Sequence, residues 1–421
     1  MQPAVEKAVA LLAEQREELA ELVLRLGNVF APVGQEEDVA REIATWYRAN
    51  GIGCEVVPLV QGRANVVARL AGRGGGPSLL FNAHLDTEVS GPLFDALMSC
   101  PDPNRLGAWR EGDRIFGHTA INDRHGHALF MMAASAIKAA GVGLRGDLIL
   151  TSVAGETGQA PVDEFGGLGY EGKGFGSSYL VEHGQRAAYA LVAETTGFAP
   201  CWYHCGAAYY KVTLRGHNIY TPRLRRDGPG GTPNAIVKAA AVVQAIESWA
   251  AAYTASRTGA TPCGQVRPNA QVGAIRGGLP WRPNRSSPYC ALYVDVRLRP
   301  GDDLAGITAS LREAVTGAEP EAQLDVFMVK DGALGQGVEP LVTAVRDAHR
   351  TVRGAAAPQT AEPAVVSMWR DTNVFNRAGI PAIDFGPGRG KADIQGRGYL
   401  DLDDLVAAAQ MYVLTAARLA G

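Results

Sequence analysis

Ser78-Leu79-Leu80-Phe81-Asn82-Ala83-His84-Leu85-Asp86-Thr87 opens as an apolar run and closes on a histidine and an aspartate. A short apolar run bounded by turn residues reads as a buried strand. Polar groups at its carboxyl end lie where an open α/β sheet binds its ligands. Two further runs end the same way. Leu148-Ile149-Leu150-Thr151-Ser152-Val153 leads to Gly155-Glu156, and Ala188-Tyr189-Ala190-Leu191-Val192-Ala193 leads to Glu194. Asp123 stands just before an apolar helix expected from Ala128 to Ala140. One imidazole and three carboxylates converging at strand ends suit a borderline-to-hard divalent ion such as zinc, manganese or cobalt. A purely structural role for His84, Asp123 and Glu194 is disfavoured, because such groups are costly at strand ends without a counter-charge.

Outward from this stretch, apolar and charged residues alternate at helical spacing from Val5 to Leu26. A second helix is expected over Gln35–Ala49, stopped by Gly51. Strands are expected near Gly53–Pro58 and Asn65–Leu70. Helices and strands alternate up to Glu194, the signature of a mostly parallel sheet covered on both faces. The order then changes: strand Tyr209–Arg215, helix Asn234–Ala252, strands Gln271–Arg276 and Tyr289–Arg297, helix Asp302–Thr316, strand Gln323–Val329. Strand-helix-strand-strand-helix-strand is the ferredoxin-like split unit. The fold class is therefore α/β. A mostly parallel-sheet domain (1–205 and 331–421) carries an inserted ferredoxin-like α+β domain (206–330). Helix Pro340–Val352, strand Ala382–Phe385 and helix Leu402–Leu419 return to the first domain.

Composition bounds the function. The chain has 421 residues, 47% hydrophobic and 20% charged, with a net charge of −3. These are values of a soluble globular protein, and they point to neither nucleic acid nor a membrane surface as partner. No apolar run is expected to span a membrane. The first residues lack the pattern of a secretory signal. Six cysteines in so long a chain are no disulfide framework, and reduced thiols in a cytoplasm are expected. Cys201, His204 and Cys205 lack a second ligand pair at zinc-site spacing and read as ordinary buried groups near a strand.

Other residues stand nearby. His118, His125 and His127 flank Asp123, and each alone reads as a solvent-facing histidine at a helix start. Trp369 and Arg370 could line a pocket, though an aromatic residue more often fills a core. The glycine-rich 158–176 segment and the Arg-, Gly- and Pro-rich 222–233 segment are rims of an active site or surface loops in equal measure. Asp401-Leu402-Asp403-Asp404 is a helix start.

Taken together, these strings resemble the zinc hydrolases that include aminoacylase, acetylornithine deacetylase, succinyl-diaminopimelate desuccinylase and glutamate carboxypeptidase. The resemblance rests on Asn82-Ala83-His84-Leu85-Asp86-Thr87, Ile121-Asn122-Asp123-Arg124, Gly155-Glu156-Thr157-Gly158 and Ala193-Glu194-Thr195-Thr196. It continues through Asp295-Val296-Arg297 and Gly379-Ile380-Pro381-Ala382 to Gly386-Pro387-Gly388. It implies that His84 and Glu194 bind one metal, that Asp123 bridges two, and that Glu156 binds the second. It implies that Asp86 fixes the His84 tautomer, and that Arg297 and Asn284 grip a substrate carboxylate. A homodimer formed through the inserted domain is implied as well.

Three positions depart from the pattern. Gly155 stands where the family has its general-base glutamate, whose loss typically costs about 10²–10⁴-fold in rate. Ile394 stands where a histidine should complete the second metal site, with Asp393 the nearest substitute through a shift of register. Tyr220 stands where a histidine should reach a partner subunit's active site and stabilise the oxyanion, a task a phenol can share. One ion is therefore expected rather than two, an ion-free site being the alternative in which Arg124, Arg370 or a cationic substrate neutralises the carboxylates. The first reading is a metal-dependent amidohydrolase acting on an N-acylated or peptide-like small molecule with a carboxylate. A repurposed lyase, cyclase or condensing enzyme comes second, and a binder without turnover third.

Overall fold

The computed structural model describes residues 2–87, 107–225, 232–391 and 398–421. The stretch around His84 forms the strand Leu79–His84, buried along its whole length. It lies inside a six-stranded sheet in the order Gly53–Val60, Arg63–Leu70, Leu148–Val153, Leu79–His84, Tyr189–Val192, Ala382–Asp384. The last three pairings are parallel and the first two antiparallel. The reason the strand reads as an unbroken apolar run is visible in its packing. Leu79, Phe81 and Ala83 join the core beneath the helices His125–Ala140 and Leu402–Leu419. Leu80 points to the opposite face, among Leu180, Val181 and Phe375. His84 pairs with Val153, and Asn82 with Val192, so the three parallel strands give out at the same edge.

A second sheet has the order Ala270–Gly277, Tyr289–Leu298, Gly206–Arg215, Gln323–Lys330, antiparallel throughout. Helices Ala235–Arg257 and Leu304–Ala318 cover one of its faces. This is the ferredoxin-like unit. Its other face carries Tyr209, Lys211, Tyr293, Asp295 and Arg297, none of them fully buried.

Four expectations need correction. The Val5–Leu26 pattern is two helices, Gln2–Glu14 and Arg16–Gly27, parted where Gln15 leaves helical geometry. The helix Ala235–Arg257 is long and apolar enough to cross a membrane by length and composition. It nevertheless lays Ala239, Val242, Ile246 and Tyr253 at helical spacing against the second sheet. A small sheet of Trp109–Glu111, Arg114–Phe116, Gly398–Asp401 and Gly390–Lys391 went unread, its strands being too short to show a period. His125 and His127 are buried rather than wet, because their helix starts beneath the sheet edge.

Candidate active site

At the shared strand edge, His84 Nε2 lies 3.8 Å from Glu156 Oε2 and 3.8 Å from Glu194 Oε1. Donor atoms of these three buried residues fall within 4.8 Å of one another. Asp123 belongs to the same electrostatic cluster. It is fully buried, and neither carboxylate oxygen accepts a hydrogen bond, although His125 Nδ1 comes within 3.3 Å of Oδ1. Burial, and then the neighbouring Glu194, drive the Asp123 carboxyl well above the usual carboxylate range. Burial pushes Glu194 up to about 7. Around His84, burial opposes the charged ring, but Asp86, Glu156 and Asp123 outweigh it and raise the imidazole. Three carboxylates and one imidazole, with both Asp123 oxygens accepting no hydrogen bond, match the ligand chemistry of zinc, manganese or cobalt.

The groups behind the cluster hold it in place. His84 Nδ1 is 2.9 Å from the Asp86 backbone carbonyl, and Nε2 is 3.1 Å from Asn122 Oδ1. The Asp86 carboxylate was expected to orient this ring, yet its Oδ1 is 3.7 Å away. Its oxygens are engaged by Glu156 N at 2.9 Å, Thr157 N at 2.8 Å and Thr157 Oγ1 at 2.6 Å. Asp86 therefore fixes the ring through its main chain, and fixes the Glu156 loop through its side chain. Burial works against its charge, but His84, Thr157 and Glu156 hold it below the ordinary range. His127 bridges Ser152 Oγ at 2.9 Å and the His84 carbonyl at 2.8 Å, and burial keeps it neutral. Arg124 donates to the Leu85 carbonyl from a fully buried position.

Arg370 also joins the cluster. Its Nη1 is 2.9 Å from Glu194 Oε1 and its Nε is 3.7 Å from Asp384 Oδ2. Asp384 also meets His204 Nε2 at 3.2 Å and accepts from Thr372 Oγ1. Burial raises Asp384 to about 7 and lowers His204 to about 3. The Cys201-His204-Cys205 stretch is thus buried packing beside Asp384, as its sequence suggested. Asp384 ends a buried strand as His84 does, so the same signal was present in Pro381-Ala382-Ile383-Asp384.

Gly155 is not a vacancy left for a larger substrate. Its φ is +73°, and a Cβ there would sit 2.4 Å from Arg63 Nη2 and 2.8 Å from the Glu171 carbonyl. Arg63 and Glu36 form a fully buried pair, with Nη2 to Oε1 at 2.6 Å and Nε to Oε2 at 2.9 Å. Arg63 Nη1 also donates to the Leu168 and Glu171 carbonyls at 2.7 Å. This ionic plug fills the space that a side chain at 155 would take.

A cavity of about 670 Å³ opens over the site, with Glu156, Lys173, Arg297, Trp369, Arg370 and His118 among its walls. Trp369, expected more often to be core, is a wall. The segment from Gly158 supplies both cavity wall and a strap onto the inserted sheet. Asp163 accepts from Lys211 and Tyr293, Arg276 holds Glu164 at 2.6 Å, and Tyr209 Oη donates to the Gly158 carbonyl at 2.9 Å. Arg297 reaches the cavity while paired with Asp295 at 2.8 Å. Tyr220 and Asn284 do not line it. Tyr220 is 43% exposed and bridges to Arg285, and Asn284 is exposed in the neighbouring loop. Ile394 and Asp393 lie outside the described residues, as do residues 226–231 of the 222–233 segment.

The model of peptidase family M20/M25/M40 matches residues 80–418. Among solved structures, a dipeptidase from Saccharomyces cerevisiae is similar with a TM-score of 0.75 at 11% identity, covering 100% of this chain and 99% of that one. A metallo-carboxypeptidase from Sulfolobus solfataricus gives 0.67 at 14%, covering 96% and 99%. A dinuclear metal-binding peptidase from Bacillus subtilis gives 0.62 at 13%, covering 97% and 99%. At such identities the likeness is one of fold.

Proposed function

The chain belongs to peptidase family M20/M25/M40, and from that membership we propose that it is a metal-dependent amidohydrolase acting on an N-acyl or peptide-like small molecule with a free carboxylate. The observation that carries this reading is the convergence of His84, Glu156 and Glu194 beside the donor-poor Asp123. His84, Asp123 and Glu194 would hold one divalent ion, zinc first, with manganese or cobalt as alternatives, which leaves Glu156 free at the cavity wall. Such an ion, when bound, polarises a carbonyl and acidifies a water.

The chain's own residues do the remainder. Of the three clustered donors, Glu156 is the one on the cavity wall. With Gly155 unable to act, Glu156 is the carboxylate that takes the proton from the attacking water and passes it to the leaving nitrogen. Arg297, on the wall formed by the inserted domain, pairs with the substrate carboxylate and sets which bond faces Glu156. Asp86 keeps Glu156 in place by accepting from its amide. Tyr220 and Asn284 would serve the site of a second copy in a homodimer, the route by which exposed residues of the inserted domain contribute to the oxyanion and the carboxylate. A cytoplasmic location fits the reduced cysteines.

The Arg63–Glu36 plug under Gly155 favours one second reading, chemistry without hydrolysis on the same scaffold. Turnover of N-acyl amino acids and dipeptides in ¹⁸O-labelled water decides between them. Hydrolysis, lost to chelator and restored by zinc, places the label in the product acid. Full activity in metal-free protein would end the metal-dependent reading, and turnover without label would end the hydrolytic one.

A further inference from the structure

The strap from Gly158 to Phe165 is held above the face of the inserted sheet, and a space of about 310 Å³ lies between them. Its tip is a two-residue turn in which Val162 N and Phe165 N each donate to the other residue's carbonyl, at 3.0 and 2.9 Å. Asp163, in that turn, has a φ of +52°, a left-handed conformation that a non-glycine residue keeps only where its surroundings fix it. Lys211 and Tyr293 fix it by donating to its carboxylate, and Arg276 clasps Glu164 with two nitrogens at 2.6 Å. At the other end Tyr209 Oη donates to the Gly158 carbonyl at 2.9 Å. Polar ties thus pin the strap at both ends, while the walls between them are mainly apolar. Val162 and Phe165 face Tyr209 and Phe327, whose rings are 5.8 Å apart. Room is made by the edge strand, where a bulge between Val272 and Ala274 brings the small residues Gly273 and Ala274 to the wall.

Apolar walls with a few placed polar groups are the form of a small-molecule site, and this volume is at the lower end of the usual range of about 300–1,000 Å³. It suits one group of a substrate, and its position says which. The strand Tyr289–Leu298 sets Arg297, Asp295 and Tyr293 on one face at two-residue steps. Arg297 belongs to the larger cavity over the carboxylate cluster, Asp295 and Tyr293 belong to the smaller space, and Gly158 lines both. The slot therefore begins one such step from Arg297, about 6.8 Å along the strand. Its charged wall residues are already paired, Asp163 with Lys211 and Asp295 with Arg297, so an uncharged occupant fits best.

We propose that this slot is a specificity site for the substrate's side chain: with the substrate carboxylate on Arg297, an aromatic group borne by the same carbon enters between the strap and the rings of Tyr209 and Phe327. The inference rests on the amidohydrolase reading above and narrows it to N-acyl or peptidyl derivatives of aromatic amino acids.

The test is calorimetric binding of N-acetyl-L-phenylalanine, N-benzoyl-L-alanine and N-acetyl-L-alanine to metal-free protein, with turnover of the same compounds measured in the presence of zinc. N-acetyl-L-phenylalanine is expected to bind about 10–100-fold more tightly than N-acetyl-L-alanine, the gain from burying one aromatic side chain. N-benzoyl-L-alanine, with its ring at the other end, is expected to bind like N-acetyl-L-alanine. Ala274→Trp fills the slot and should bring the ratio near one. Phe327→Ala removes a wall and should lower it severalfold, which keeps the test open should Ala274→Trp fail to fold. No binding of any compound, a native chain without the preference, a benzoyl compound bound more tightly, or folded variants that keep the native ratio would each overturn the proposal. Preference in binding with no turnover would leave the slot standing and remove the hydrolytic reading; turnover without preference would do the reverse.

Discussion

Two buried ionic groups meet at the peptide between residues 155 and 156, and they are built in opposite ways. Beneath Gly155, Arg63 and Glu36 are matched atom for atom: both Glu36 oxygens receive a guanidinium nitrogen, and the remaining donor is shared by two backbone carbonyls. Beyond Glu156, Asp123 has two oxygens without a donor, and Glu194 and Asp384 share one guanidinium. A fully satisfied buried pair needs nothing further and serves the fold. A cluster with surplus carboxylates is stable only when a cation or protons arrive. The contrast separates structural charge from functional charge without reference to any relative.

The comparison breaks first at Gly155. Gly155→Glu puts back the acid that the family pattern calls for, but into the space of the plug. A side chain at φ +73° costs about 1–3 kcal/mol. Displacing Arg63 from Glu36 adds about 3–5 kcal/mol, the usual cost of parting a buried pair. The variant is expected to melt far below the native protein and to gain no activity toward acyl amino acids. A variant that melts like the native chain and turns over faster would show that the plug is not structural.

On the open side the sign reverses. Asp123→Asn removes an unmatched charge, so the metal-free protein is expected to gain about 1–2 kcal/mol, the usual relief of an unsatisfied buried polar group, while its zinc binding is lost. The pH dependence follows. Glu194 and Asp384 each stand at about 7 in the folded chain, raised by burial, against about 4 in an unfolded one. Between those values the folded state holds more protons than the unfolded state, so metal-free stability falls as pH rises from about 4 to 7. Zinc should flatten that decline, and Asp123→Asn should make it shallower. Chemical denaturation at several pH values, with and without chelator, measures both. A metal-free chain whose stability rises through that window would mean the cluster is neutralised in some other way.

Most of the scaffold was legible because buried strands and amphipathic helices carry periods. The run into His84, the switch of pattern after Glu194 and the second helix of the inserted unit were read close to their true ends, while the first helix of that unit runs on to Arg257, beyond the expected Ala252. What stayed hidden was whatever depends on atoms meeting across the fold. Gly155 looked like a deletion of function, because sequence does not show that Arg63, distant in the chain, fills its space. Asp86 looked like the partner of the His84 side chain, because spacing cannot reveal that the 156–157 amides claim its oxygens first. Asp384 was missed although it ends a strand as the others do, since its run is only three residues long. Trp369 and Arg370 read ambiguously because they sit between two helices, Pro363–Ser367 and Thr372–Arg377, that are too short to show a period.

The smallest effect belongs to the strap, where charge is matched but half in water. Asp163, tied to Lys211 and Tyr293, and Glu164, tied to Arg276, bind the segment that starts at Glu156 onto the sheet that carries Arg297. Glu171 adds a contact to Lys330 at 3.3 Å. Asp163→Asn keeps the shape of the turn but weakens its grip, and partly exposed pairs of this kind contribute only about 0.2–1 kcal/mol. Melting should hardly change. Because the strap sets the spacing between Glu156 and Arg297, KM should rise severalfold while kcat falls less, and added salt should move the native enzyme in the same direction. If KM stays constant while kcat collapses, the strap acts on the carboxylate cluster itself, and the division between structural and functional charge runs on the other side of Glu156.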